Sequence, residues 1–199
     1  MLRWPLLLMM AVLLPMQPVA PTDGPAYTPD GQLKYPVGYP EWVFLGTGLD
    51  MSYTSDAEMS NGSMFNSVFV NPSAYRAFKQ TGHWPEHTVM VLENRGATGA
   101  SSINKRGKTE TSEVMGMEIH VKDSAQSKGD GWAFYNFGKP ADLTSSGNLI
   151  ARPASCYTCH EAHGVVDTTF VQFYPNALDV AKQKHTVSPE YLNESAAGR

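Results

Sequence analysis

The sequence predicts an α+β fold: mainly an antiparallel β-sheet, with a few helices, in a single domain. Three observations carry that prediction. Runs of β-branched and aromatic residues recur, each short enough for one strand, and clusters of Gly, Pro, Asn or Ser bound most of them. One segment has the end residues and apolar spacing of a helix. The runs follow one another without a regular strand–helix–strand rhythm, which favours an antiparallel sheet with helices to one side.

The strand candidates are Trp42–Leu49, Met64–Val70, His87–Glu93, Val114–Val121 and Trp132–Phe137. Between the second and third lies NPSAYRAFKQTG. There Asn71 is suited to cap a helix, Pro72 to its first turn and Gly82 to its end. Ala74, Ala77 and Phe78 then share one face, the spacing that packs a helix onto a sheet. Residues 94–112 are polar and Gly-rich and read as a mobile loop. Residues 21–40, rich in Pro, Gly and Tyr, read as an irregular lead-in to a domain over residues 41–182, and residues 183–199 as a flexible tail. No internal repeat is visible.

Residues 1–20 contain Arg3, then an apolar run from Leu6 to Leu14, then a Pro-broken stretch ending in Ala20. That order is the one of a secretory signal peptide. The run is shorter than the about 20 residues that a membrane span needs. Export to the periplasm is the expectation, with no stable membrane association once the signal is removed. Apolar residues make up 42% and charged residues 17% of the chain, enough for a real core. A net charge of −4 without a basic stripe speaks against nucleic acid as a partner.

Residues 156–160 read CYTCH, and Cys156 and Cys159 are the only cysteines. Two thiols this close cannot staple a long loop, so their role is chemical. Zinc would want four Cys or His donors, normally two separated pairs, and the second pair is missing. A redox dithiol would follow a strand in a βαβ setting that this sequence lacks. C-x-x-C-H is the attachment signature of c-type haem. On one helical turn the thiols reach the two vinyl groups, and the next imidazole reaches the iron from the same side. One covalent haem c per chain is therefore expected, held by Cys156 and Cys159 and ligated by His160.

The far side of the iron decides function. A second strong ligand would make an electron carrier, and an open position would make a gas binder or a catalyst. Candidates for a sixth ligand are Met51, Met59, Met64, Met90, Met115, Met117, His83, His87, His120, His163 and His185. Taken singly, each reads as core filling or as a solvated loop residue.

The segments FVNPSAYRAFKQTGHWPEHTVMVLE, MGMEIHVKD, GWAFYNF, CYTCH and DTTFVQFYP, in that order, resemble the cytochrome P-460 family, which includes cytochrome c′-β. The resemblance runs from about Tyr35 to Pro175. It implies a mainly antiparallel β domain, a homodimer, and one five-coordinate haem c, with Cys156 and Cys159 as thioether positions and His160 as the proximal ligand. Members named for the P-460 spectrum cross-link a lysine to the haem edge and oxidise hydroxylamine. The matching position here is Leu92, and TVMVLENR contains no lysine. An apolar residue there is what the c′-β branch would show.

Strand alternation puts Thr88, Met90 and Leu92 on one face, which the resemblance turns toward the haem. Glu118, His120 and Lys122 share a face of the next strand. Glu118 matches an acidic residue that manages substrate protons in the cross-linked enzymes; the plain alternative is a surface carboxylate paired with Lys122 or His120. Met90, Leu92 and Phe65 are the expected distal pocket, with Phe69 an alternative to Phe65 as the cap. An apolar wall favours nitric oxide or a related small ligand over dioxygen, which needs a hydrogen bond. Three functions stay open: nitric oxide binding, hydroxylamine or nitric oxide oxidation with a partner cytochrome taking electrons, and plain electron transfer.

Overall fold

The computed structural model describes residues 23–52, 62–99, 101–127, 129–138 and 146–196. The signal-like segment 1–20 lies outside them. Among the described residues the strands are β1 (Leu33–Lys34), β2 (Val43–Leu49), β3 (Met64–Val70), β4 (Thr88–Thr98), β5 (Thr109–Lys122), β6 (Trp132–Asn136) and β7 (Ser146–Leu149). They form one sheet in the order β1-β7-β6-β5-β4-β3-β2, with every neighbouring pair antiparallel. The helices are α1 (Pro72–Thr81), α2 (Ser155–His163), α3 (Pro175–Lys184) and α4 (Pro189–Ala196). The expected α+β class is the one observed.

All five sequence-predicted strands are present, and the sheet extends into two segments read otherwise. β4 continues to Thr98 and β5 starts at Thr109, with Ala97 opposite Glu110 and Thr98 opposite Thr109. Much of the expected loop 94–112 is therefore a projecting hairpin. Its residues are mostly polar on both faces, so alternation cannot announce it. Bulges on either side of Arg95 mark where the hairpin leaves the main sheet.

Helix α1 begins and ends as its sequence predicts. Pro72 opens it, and Gly82 ends it at φ 78, the left-handed conformation that glycine tolerates best. A side chain at Gly82 would also strike α3, since a Cβ there would lie 2.6 Å from that of Lys184. Asn71 departs from expectation, because its side chain makes no cap hydrogen bond. Its Oδ1 accepts from the Val89 backbone N at 2.8 Å and its Nδ2 donates to the His87 carbonyl at 3.2 Å. Asn71 thus stitches the helix start to β4.

The sheet buries both faces, so successive residues of a strand enter different cores. Val68, Val70 and Met90 point to a first face covered by α1, α3 and residues 165–171; Ala74, Phe78, Trp84 and Ala177 fill that core. Val89, Val91, Met117, Ile119, Val121, Ala133 and Tyr135 point to a second face covered by Leu33 and Tyr39. The lead-in is therefore the cover of the second face, with its own strand, rather than irregular throughout. A buried polar cluster pins it: the Tyr39 hydroxyl donates to Glu93, which Arg95 grips through two donors at 2.6 and 2.9 Å.

The expected flexible tail also needs correction. The Ser188 backbone N donates to the Val165 carbonyl at 2.9 Å, Val187 is buried, and α4 follows. Apolar core contact at Val187 outweighs the polar composition around it. Residues 197–199 lie outside the described part. Among the described residues no helix is long and apolar enough to cross a membrane.

Candidate functional site

Helix α2 carries Cys156, Cys159 and His160 on adjacent turns of one face, because residues three and four apart stack along a helix. Both cysteines are half-buried free thiols. Tyr157 fixes the helix over β6. Its hydroxyl donates to the Ile150 carbonyl at 2.8 Å, and its ring stands edge-on to Phe134, 4.8 Å between centroids. The Arg152 guanidinium covers the same tyrosine ring at 4.1 Å.

His160 projects onto the first face of the sheet. Its ring stacks on Phe170 at 4.1 Å and meets Phe134 at 4.7 Å and His120 at 4.8 Å. Burial lowers its pKa, against the opposing pull of the Thr168 carbonyl and of Asp130. The imidazole is therefore neutral near pH 7. Its Nδ1 lies 2.8 Å from the Thr168 carbonyl oxygen and must carry the proton that this contact needs, leaving the Nε2 lone pair for a metal.

Cross-strand register lays out the floor beneath. Leu92, Glu118 and Asn136 form one row; Met90, His120 and Phe134 form the next; Thr88, Lys122 and Trp132 form a third. The expected grouping of Leu92, Met90 and Glu118 on one face thus stands, and it is the face that His160 overlies. Met90 is buried in the core, and Leu92 packs at its edge.

Phe65 stands apart from this group. Its partner in the register is Arg95, and it shares the second face with Ser67 and Phe69, whose ring lies against Tyr39 at 5.6 Å. The β3 residue opposite Leu92 is Val68. The expected cap by Phe65, or by Phe69, is therefore corrected: strand alternation turns both away from His160.

Glu118 is not the paired surface carboxylate of the plain alternative. Lys122 Nζ instead donates to the Trp84 carbonyl at 2.8 Å and lies 3.8 Å from Asp167. His120 is stacked on Phe134 at 4.0 Å, with its Nε2 buried and lacking a hydrogen-bond partner. Burial, then the neighbouring His160, push its pKa well down, so it too is neutral. Much of the Glu118 surface is open to solvent, yet burial against the surrounding protein raises its pKa.

The raised pKa of Glu118 has a pH signature. With a folded pKa above the ordinary glutamate value, the native chain binds more protons than the unfolded chain between the two values. Stability contributed at this site is thus complete below the unfolded pKa and falls as pH rises through the folded one. Glu118→Gln is expected to match the wild type at low pH and to exceed it in stability above that window. Denaturant midpoints of both proteins across the acid range check this; equal midpoints at neutral pH would refute it.

The other sixth-ligand candidates scatter. Met117 is buried on the second face, His83 Nδ1 lies 2.9 Å from Asp167, and His87 is exposed. Met59 lies outside the described residues. Sequence reading missed Thr168, whose carbonyl faces His160 Nδ1, and the groups that hold its turn and the helix, Asp130, Arg152 and Trp84. Their only local signals are turn chemistry in GDG and in VVDTTF.

Among the described residues no group of three His, Cys, Asp or Glu side chains converges to hold an ion. One neutral imidazole with two thiols on the same turn suits instead a prosthetic group that brings its own equatorial donors. The fold and this donor set define a haem-binding cytochrome. The Cytochrome P-460 family model matches residues 36–171, and the chain belongs to the cytochrome P-460 family. No curated protein matches it.

Proposed function

We propose that this chain is an exported, periplasmic cytochrome that takes up nitric oxide on one covalent haem c with an open iron position. Cys156 and Cys159 form the thioethers, and His160 Nε2 ligates the iron. The bound group supplies a redox-active iron with affinity for small diatomic ligands. The chain's own residues do the rest. Thr168 holds the His160 tautomer, and Leu92 presents an apolar wall that offers no hydrogen bond to a bound gas. Glu118 beside it is the one carboxyl of that row and can hold a proton. A homodimer, as the sequence resemblance implies, and a redox partner cytochrome complete the reading.

The observation that carries this choice is Leu92 on the face beneath His160, in register with Glu118. Hydroxylamine oxidation in the cross-linked relatives needs a lysine amine at that place. On this face of β4 and β5 the lysine is Lys122, two rows away and already donating to the Trp84 carbonyl. Glu118 alone would favour the oxidoreductase, as its proton acceptor, but it has no amine-linked haem to work with.

Optical spectra of the purified protein test the proposal. The expected result is a high-spin ferric spectrum, a ferrous form that responds to nitric oxide, and no turnover of hydroxylamine. A low-spin spectrum indifferent to nitric oxide would leave electron transfer. A ferrous Soret band far to the red, together with hydroxylamine turnover, would make the protein an oxidase despite Leu92.

A further inference from the structure

The Thr168 carbonyl that faces His160 Nδ1 is held in an unusual way. Asp167 and Thr168 have φ values of 47 and 56, left-handed conformations that a β-branched threonine rarely adopts. The Val166–Thr169 backbone bridge closes this turn, with the Thr169 N donating to the Val166 carbonyl at 2.8 Å, and side chains anchor its tip to the rest of the protein. Asp167 accepts from the Trp84 backbone N at 2.7 Å and meets His83 at 2.9 Å. The Thr168 hydroxyl donates to Asp130 Oδ2 at 2.8 Å.

Asp130 also reaches the helix that carries His160. Its Oδ1 accepts from Arg152 Nη2 at 2.7 Å, and Arg152 Nη1 donates to Glu161, the residue after His160. One half-buried carboxylate therefore ties together the helix bearing the imidazole and the turn bearing its acceptor. The two are packed too closely for a side chain between them: a Cβ on Gly164 would lie 2.4 Å from the Thr168 carbonyl carbon.

We propose that Asp130 is a positioning residue that sets the strength of the His160 Nδ1–H hydrogen bond, through the Thr168 hydroxyl and carbonyl. This rests on His160 being the iron ligand. A well-aligned bond to Nδ1–H makes the imidazole a stronger donor at Nε2, which strengthens the iron–histidine bond and favours the ferric state. Loosening it weakens that bond and raises the reduction potential. The Asp130 charge acts on the potential in the same direction, so the vibrational readout and a variant that keeps the charge are needed to separate the two.

The test compares wild type, Asp130→Ala, Thr168→Val and the double variant as haem-loaded proteins. Resonance Raman reads the ferrous iron–histidine stretch, and redox titration reads the potential. Asp130→Ala is expected to lower the stretching frequency and to shift the oxidised-to-reduced equilibrium about tenfold, about 59 mV upward for one electron. Thr168→Val, which keeps the Asp130 charge, should lower the stretch similarly with a smaller change in potential. The double variant should lower the stretch no further than Asp130→Ala. If Asp130→Ala accumulates no haem protein, Thr168→Val carries the same test. A wild-type stretch in both single variants, whatever their loss of stability, would overturn the proposal. Absence of any iron–histidine stretch in the ferrous wild type would instead overturn the reading on which this rests, either the ligation by His160 or the open iron position.

Discussion

Replacing Cys156 and Cys159 together by Ala is expected to leave no haem on the polypeptide after denaturing electrophoresis. Both thiols are free and half-buried on α2, three residues apart, so neither is committed to another bond. A thioether survives denaturation, whereas a lone imidazole–iron bond does not. Loss should therefore be complete for the double variant, and a single variant should keep a weaker band through the remaining thiol. Haem that persisted in the double variant would mean attachment elsewhere on the chain. Lys122 would then be the residue to test, since it is the lysine on the face beneath His160. His160→Ala provides the complement: the thiols remain, and the iron loses its protein ligand without losing the covalent band.

Trp84→Ala is expected to destabilise the fold strongly. The side chain is fully buried, stacked on Phe78 at 3.9 Å, and its indole N–H donates to the Thr169 hydroxyl at 3.0 Å. Removing so large a buried side chain costs about 3–5 kcal/mol. The Thr169 hydroxyl also loses its donor while staying inside the core. The loss reaches the site, because Trp84 borders the turn that presents the Thr168 carbonyl. Chemical denaturation should show a midpoint shift of that order, and the iron–histidine stretch should broaden or fall in the protein that still folds. Trp84→Phe keeps the stack and loses the hydrogen bond, so a much smaller stability loss is expected. Equal losses for both variants would place the energy in the hydrogen bond rather than in packing.

Much of the sheet was legible because its central strands are buried on both faces and so read as β-branched and aromatic runs. Val89, Val91 and Glu93 point one way and Thr88, Met90 and Leu92 the other, as the residues alone suggest. β1 and β7 were not legible, since two and four residues are too few to show a period. Helix α3 has a local signal in Pro175 at its start and in Ala177 and Ala181, four apart and both buried. The cover of the second face by Leu33 and Tyr39 had no local sign, because what a Pro- and Tyr-rich segment packs on is set by distant strands. The ordered tail has no local sign for the same reason. Val187 is buried in the core that also holds Phe78, Val165 and Val166, which its neighbours in sequence do not announce.

By itself the sequence determined the thiol pair and the imidazole of α2, because helical periodicity brings residues 156, 159 and 160 to one face wherever the helix packs. It also determined that a lysine is missing from β4, since absence of a residue type needs no coordinates. Only the tertiary structure decided what stands around His160. Cross-strand register put Glu118, and not another carboxylate, opposite Leu92, and turned Phe65 to the far side of the sheet. Packing of the left-handed Asp167–Thr168 turn put a carbonyl on Nδ1, with Asp130 behind it. Period and composition are properties of neighbours along the chain. Register and the hydrogen bonds of a turn are settled between segments tens of residues apart, where burial of both sheet faces leaves a single arrangement that pairs its polar groups.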